Sequence, residues 1–302
     1  VKAFSQQFIR TLPDVLFKDV NHRNVLNLPQ AHRRGRFDAE SALVIRQWWG
    51  NTRKRLLATR DGLEVKRVDH ADAKQNWKFK KNDREIYNQP WNRYSIALTY
   101  MVTILAANTG CRPVELVKLK WKDIECWKDP EDGLEYTIIQ VRPEVSKVNK
   151  HRDMISRDFR ETYDRLIEFK YEWERFFGYE AQGDDFVFGN AGSKKKGVRP
   201  TPCKPHQSVR NLLMKLKLKD GTSIYKEEVN GVEVPRTLYS FRSMFITESL
   251  RRGMDAYTLA RACGTSIEMI ERYYDYNKNI HFRKDITRHM KSMGFAGGQV
   301  EE

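Results

Sequence analysis

Two arginines, one lysine and a cluster of tyrosines carry the chemistry available to this sequence. Arg112 lies between Gly110 and Pro113 in "NTGCRPVELVKLKW", where one apolar run gives way to the next. Arg242 lies in "TLYSFRSMFITESL", at the start of another helical pattern. A guanidinium at a helix N-terminus sits poorly with the positive end of the helix dipole. Taken singly, each arginine is explained by a surface ion pair, Arg112 with Glu115. Taken together, two bidentate forks beside helix N–H groups suit one shared phosphate. Lys147 lies in the polar "KVNKH" turn between two strand-like runs. From a hairpin tip it reaches into a groove and protonates a leaving oxygen; otherwise it is an exposed turn lysine. "ERYYDY" supplies Tyr273, Tyr274 and Tyr276. A phenol, with a pKa of about 10, is a poor nucleophile at neutral pH. Against a phosphodiester held by two arginines it attacks phosphorus and forms a covalent phosphotyrosine. The plainer reading of these rings is aromatic packing, and at least one of the three packs.

The elements that must position these residues are legible from period and punctuation. "DAESALVIRQWWGNTRKRLL" reads as a helix capped by Asp38. Residues 60–92 are polar and charged, a loop, lid or weakly ordered insertion. "WNRYSIALTYMVTILAANTG" is a strongly apolar helix stopped by Gly110. Pro113 fits the first turn of a following helix, continued by "VELVKLKW". Residues 135–156 turn β-branched and suggest a small antiparallel sheet around Lys147. Residues 158–178 return to helix, and "VNGVEVP" carries an Asn-Gly hairpin signal. The last third is helical, in "SMFITESLRRG", "DAYTLARACG" and "SIEMIERYYDY". "TSIE", from Thr265 to Glu268, has the form of a capping box.

Composition bounds the partner. The chain has 302 residues, 40% of them hydrophobic, enough for a sizeable core. The formal net charge of +15 points to a polyanion, nucleic acid first, or else to a basic soluble surface. Cys111, Cys126, Cys203 and Cys263 form no C-x-x-C pair and no zinc spacing, so they read as reduced thiols of an intracellular protein. No stretch has the length and apolarity of a membrane span, and no signal peptide is visible. No P-loop or G-x-G-x-x-G supports nucleotide-driven chemistry. Candidate backbone-contacting segments are "HRRGR", "KFKKNDR", "GSKKKGVRP" and "KPHQSVR", each otherwise a solvated charged surface.

With these pieces in order, the sequence resembles the tyrosine recombinases, the phage-integrase family. "TGCRPVELVKLKWKDI" resembles the family's first box, "SKVNKHRD" its lysine hairpin, and "LYSFRSMFITESLRRGMDAYTLARACGTSIEMIERYY" its second box. The resemblance covers residues 37–280. It implies an α+β catalytic fold, mostly helical, with a small antiparallel sheet carrying the lysine hairpin. It implies catalytic roles for Arg112, Lys147, Arg242 and, ten residues after Gly264, the nucleophile Tyr274. Where the family often has histidine, and histidine or tryptophan, this chain has Tyr239 and Thr265, each with a hydroxyl donor in its place.

The implied activity is site-specific recombination or integration of DNA through a 3′-phosphotyrosyl intermediate, for a phage or other mobile element. It needs no cofactor and no metal. The implied partner is double-stranded DNA, gripped in a synaptic homo-tetramer, in the cytoplasm of a host cell and away from any membrane. Two alternatives stay open here: a type IB topoisomerase-like enzyme, and a catalytically impaired DNA-binding protein on the same fold. The expected organisation is residues 1–35 as a linker or the end of a missing N-terminal core-binding domain, 36–280 as the catalytic domain, and 281–302 as a tail helix. That tail contacts a neighbouring protomer or packs on its own domain. The first residue, Val1, is not Met, which fits a chain that starts at a domain boundary.

Overall fold

The structure, a computed structural model, describes residues 35–60, 87, 89–147, 149–193, 198–229 and 231–274. "KFKKNDR", most of "HRRGR", part of "GSKKKGVRP", Tyr276 and the expected tail 281–302 lie outside the described residues.

Helix α1 spans Ala39–Arg60. Asp38 caps it as the sequence suggests, its carboxylate accepting the Ser41 N–H at 2.7 Å. Helix α2, Pro90–Thr109, is the centre of the fold: Tyr94, Met101, Ile104 and Leu105 on different sides are all buried. A helix apolar all round has nowhere to go but the interior. It ends at Gly110, whose φ of 65° closes the turn and sends its N–H to the Ala106 carbonyl at 3.2 Å.

Helix α3 is shorter than the sequence pattern suggests, only Pro113–Val117. Asp123 accounts for the stop, accepting the Lys120 N–H at 2.9 Å and fixing a 3-10 turn over Trp121–Asp123. Strand β1, Ile124–Lys128, was not legible in the sequence; it pairs antiparallel with β2, Glu135–Val141, which pairs antiparallel with β3, Arg152–Ile155. The expected two strands are thus the last two of a three-stranded sheet in the order β1-β2-β3.

Helix α4, Glu161–Phe177, packs its Leu166, Phe169, Trp173 and Phe176 face into the core. Helix α5 spans His206–Lys215, and the expected hairpin forms from β4, Lys226–Val229, and β5, Val232–Pro235. Helices α6 (Leu238–Arg251), α7 (Ala256–Cys263) and α8 (Ile267–Tyr273) follow among the described residues. The fold is therefore mostly helical with small antiparallel sheets. A buried ion pair ties three helices together. Arg93 of α2 grips Glu172 of α4 with two N–H groups, each 2.5 Å from a carboxylate oxygen. A further N–H of Arg93 reaches the Leu56 carbonyl of α1 at 2.8 Å.

Candidate active site

The site is organised by the C-terminal end of α7. A helix leaves its last carbonyls without partners inside the helix. At α7 the Gly264 cap, with φ 60°, and the Thr265 N–H close back onto Ala260 and Arg261. The next three carbonyls go to three arginines from three other elements. Arg152 of β3 donates through Nε to Ala262 at 3.1 Å. Arg242 of α6 donates to Cys263 at 2.9 Å. Arg112, at the N-cap of α3, donates to Gly264. Cations gathered at the negative end of a helix dipole are favourable, and Arg112 and Arg242 reach across from the N-terminal parts of their own helices to another helix's end.

Arg242 is also anchored to the end of α2, donating to the Gly110 carbonyl at 2.5 Å. Its residue is 2% exposed, and its Nε is buried with no hydrogen-bond partner among the described residues. Burial alone pulls its pKa down, but the neighbouring Cys263 and Tyr274 reverse the direction and hold it above the ordinary value. The guanidinium is a fixed cation. The Tyr274 ring lies over it, 6.0 Å from Cζ to the ring centroid.

Among the described residues Glu115 is the one carboxylate hydrogen-bonded to this arginine cluster. It is 3% exposed and accepts from the Arg112 N–H at 2.7 Å, Arg112 Nη1 at 2.9 Å and Arg152 Nη2 at 2.5 Å. Burial raises its pKa; the Arg152 hydrogen bond and charge, with the Arg112 bonds, more than offset this and hold it below the ordinary carboxylate value. Three guanidiniums against one carboxylate leave a net charge of about +2, a strong anion field in a partly desolvated place.

Tyr274 follows α8 and is 7% exposed. Its N–H donates to Ile270 at 2.9 Å and its carbonyl accepts the Thr247 hydroxyl at 2.8 Å. The site's two cysteines offer no competing nucleophile: burial pushes the Cys111 thiol up to about 12 and raises Cys263 as well.

The structure thus brings together Arg112, Arg242 and Tyr274, with Thr265 adjoining Gly264 in the chain. Lys147 is exposed, just after a 3-10 turn at Pro143–Val145. Its chain neighbour Ser146 touches the cluster, its hydroxyl accepting from Arg152 Nη1 at 3.4 Å, but no contact brings the Lys147 side chain there among the described residues. Tyr239 is half-buried one turn before Arg242, its N–H on the Thr237 hydroxyl at 3.3 Å. The capping-box reading of Thr265 is corrected: Ser266 is the N-cap of α8, accepting the Met269 N–H at 3.2 Å. The Tyr273 side chain lies outside the described residues. Arg152 escaped sequence reasoning. The available signal was period two along β3, which puts Arg152 on the same face as the buried Met154. A cleft elsewhere, lined by Trp49, Arg157, Met244 and Arg252, contains none of these residues. Among the described residues no helix is long and apolar enough to cross a membrane, and no His/Cys/Asp/Glu group has the form of a metal site.

No family model matches the sequence, and no curated protein matches it. Solved structures do. The XerH site-specific recombinase bound to palindromic difH substrate is 14% identical, over 83% of this chain and 52% of that one, with a TM-score of 0.47. XerA recombinase is 18% identical, over 80% and 74%, with a TM-score of 0.41. The Tn1549 transposon integrase in complex with circular intermediate DNA is 15% identical, over 95% and 98%, with a TM-score of 0.38. This chain spans about half the length of the XerH chains. Likenesses this distant carry no functional argument, which rests instead on this chain's own residues.

Proposed function

We propose that this chain is the catalytic domain of a tyrosine recombinase, which cleaves and rejoins double-stranded DNA through a phosphotyrosine. The observation that carries the reading is the placement of Arg112 and Arg242 on consecutive carbonyls, with the Tyr274 ring over Arg242. Two fixed guanidiniums neutralise the charge that grows on a phosphorane, usually the largest single contribution to catalysis. Tyr274 Oη attacks phosphorus as the bond to the 5′ oxygen breaks. Lys147 delivers a proton to that oxygen. The net change moves one proton from the phenol to the departing hydroxyl and exchanges one phosphodiester for another, so ligation is the reverse step and no energy-supplying cofactor enters. Tyr239 and Thr265 supply hydroxyl donors near the phosphate. DNA is bound mainly through its phosphates by the chain's excess of positive charge, +15 overall. Recombination then joins four protomers in a synaptic complex on behalf of a mobile element.

The test uses a pool of nicked duplexes with randomised sequence, the nick placed so that the short 5′-hydroxyl fragment diffuses away after cleavage. Wild type is expected to give an SDS-resistant protein–DNA adduct and Tyr274→Phe none. Wild type that retains this DNA in a gel yet forms no adduct would contradict the reading.

A further inference from the structure

Building on that reading of Arg112, we infer that Arg152 is its positioning residue: it clamps Glu115, the carboxylate that aims Arg112, against the end of α7. Each donor of Arg152 goes to a different element. Nε reaches the Ala262 carbonyl at 3.1 Å, Nη2 the Glu115 carboxylate at 2.5 Å, and Nη1 the Ser146 hydroxyl at 3.4 Å, one residue before Lys147. Glu115 in turn holds Arg112 twice, at the backbone N–H and at Nη1.

The seat for this guanidinium is built. The Arg152 side chain is 10% exposed. A Cβ on Gly264 would stand 2.8 Å from Arg152 Nη1, so the bare backbone at that position leaves room for the guanidinium against the helix end. A buried ion pair is weak evidence of stability, because its desolvation offsets its attraction. What this pair does secure is direction. With Arg152 in place, Glu115 has one position, and Arg112 has one orientation over Gly264. A lysine has a single nitrogen and cannot span the three acceptors.

The test has two readouts on the full chain. The first is the Arg112 guanidinium N–H signals in NMR, which report its restraint without any DNA. The second is the rate of covalent adduct formation on the nicked pool. In Arg152→Gln the Arg112 signals are expected to average and exchange, while amide spectra stay those of wild type. Adduct formation is expected to fall about 10²-fold, the scale of a misplaced catalytic group. If the glutamine variant does not fold, Arg152→Lys carries the test, with the same losses expected at retained charge. Unchanged Arg112 signals in a folded variant, or full recovery of both readouts by lysine, would overturn the inference. Wild type that forms no adduct defeats the function proposed above, whereas the guanidinium signals still decide the role of Arg152.

Discussion

Arg112 and Arg242 come from different helices yet donate to adjacent carbonyls, those of Gly264 and Cys263. The spacing of two guanidiniums is thereby set by one peptide unit of a helix end rather than by flexible side chains. Preorganisation of this kind is what a charge-stabilising site requires, since no reorganisation is left for the moment of reaction.

Arg242 is expected to be both structural and catalytic. In Arg242→Lys the charge stays, but the planar fork whose two separate nitrogens reach Gly110 and Cys263 is replaced by a single ammonium centre. One buried carbonyl left unpaired costs about 1–3 kcal/mol. Denaturant unfolding should show a loss of that size, and adduct formation should fall about 10²–10³-fold, the effect of removing one charge-stabilising donor.

Glu115 gives a signed pH dependence. Its folded pKa is depressed, so its contribution to stability is present above the unfolded value of about 4.3 and is lost as pH falls through the lower folded value. Glu115→Gln removes that proton linkage. Wild type should therefore lose stability relative to Glu115→Gln as pH drops below about 4.3, read from unfolding midpoints at matched pH. Parallel curves for the two proteins would contradict the assignment.

Lys147, exposed beside the Ser146–Arg152 link, is expected to act on the leaving oxygen alone. Lys147→Ala should slow cleavage about 10²–10⁴-fold, the range of a lost general acid. A duplex with sulfur in place of the 5′ bridging oxygen should restore it, because a thiolate departs without a proton. DNA retention should not change. A defect that persists on the sulfur-bridged duplex would remove Lys147 from proton transfer.

The parts of this molecule that local chemistry dictates were legible in the sequence. Asp38 as a cap, Gly110 as a left-handed stop and the all-apolar α2 each follow from neighbouring residues. The nearest misses are also local. Thr265 and Ser266 are both good caps, and the choice between them depends on the Gly264 closure, which engages the Thr265 N–H. Strand β1 is short, and it forms because β2 offers it an edge. Arg152 was out of reach for a different reason. Its partners Glu115 and Ala262 are 37 and 110 residues away in sequence, and nothing in "KHRDM" announces either. The motif residues were found by chemistry and resemblance; the carbonyls that hold them were not, because backbone acceptors leave no mark in a sequence.

The most direct measurement is the location of the covalent bond. Trypsin cuts after Arg272 and Lys278, releasing "YYDYNK", which holds Tyr273, Tyr274 and Tyr276 in one peptide. Adduct formed on the nicked pool would be digested with nuclease and trypsin, and fragment ions used to place the nucleotide remnant. The geometry of Arg242 predicts a phosphodiester on Tyr274. A remnant on Tyr273 or Tyr276, or an adduct that Tyr274→Phe still forms, would contradict it.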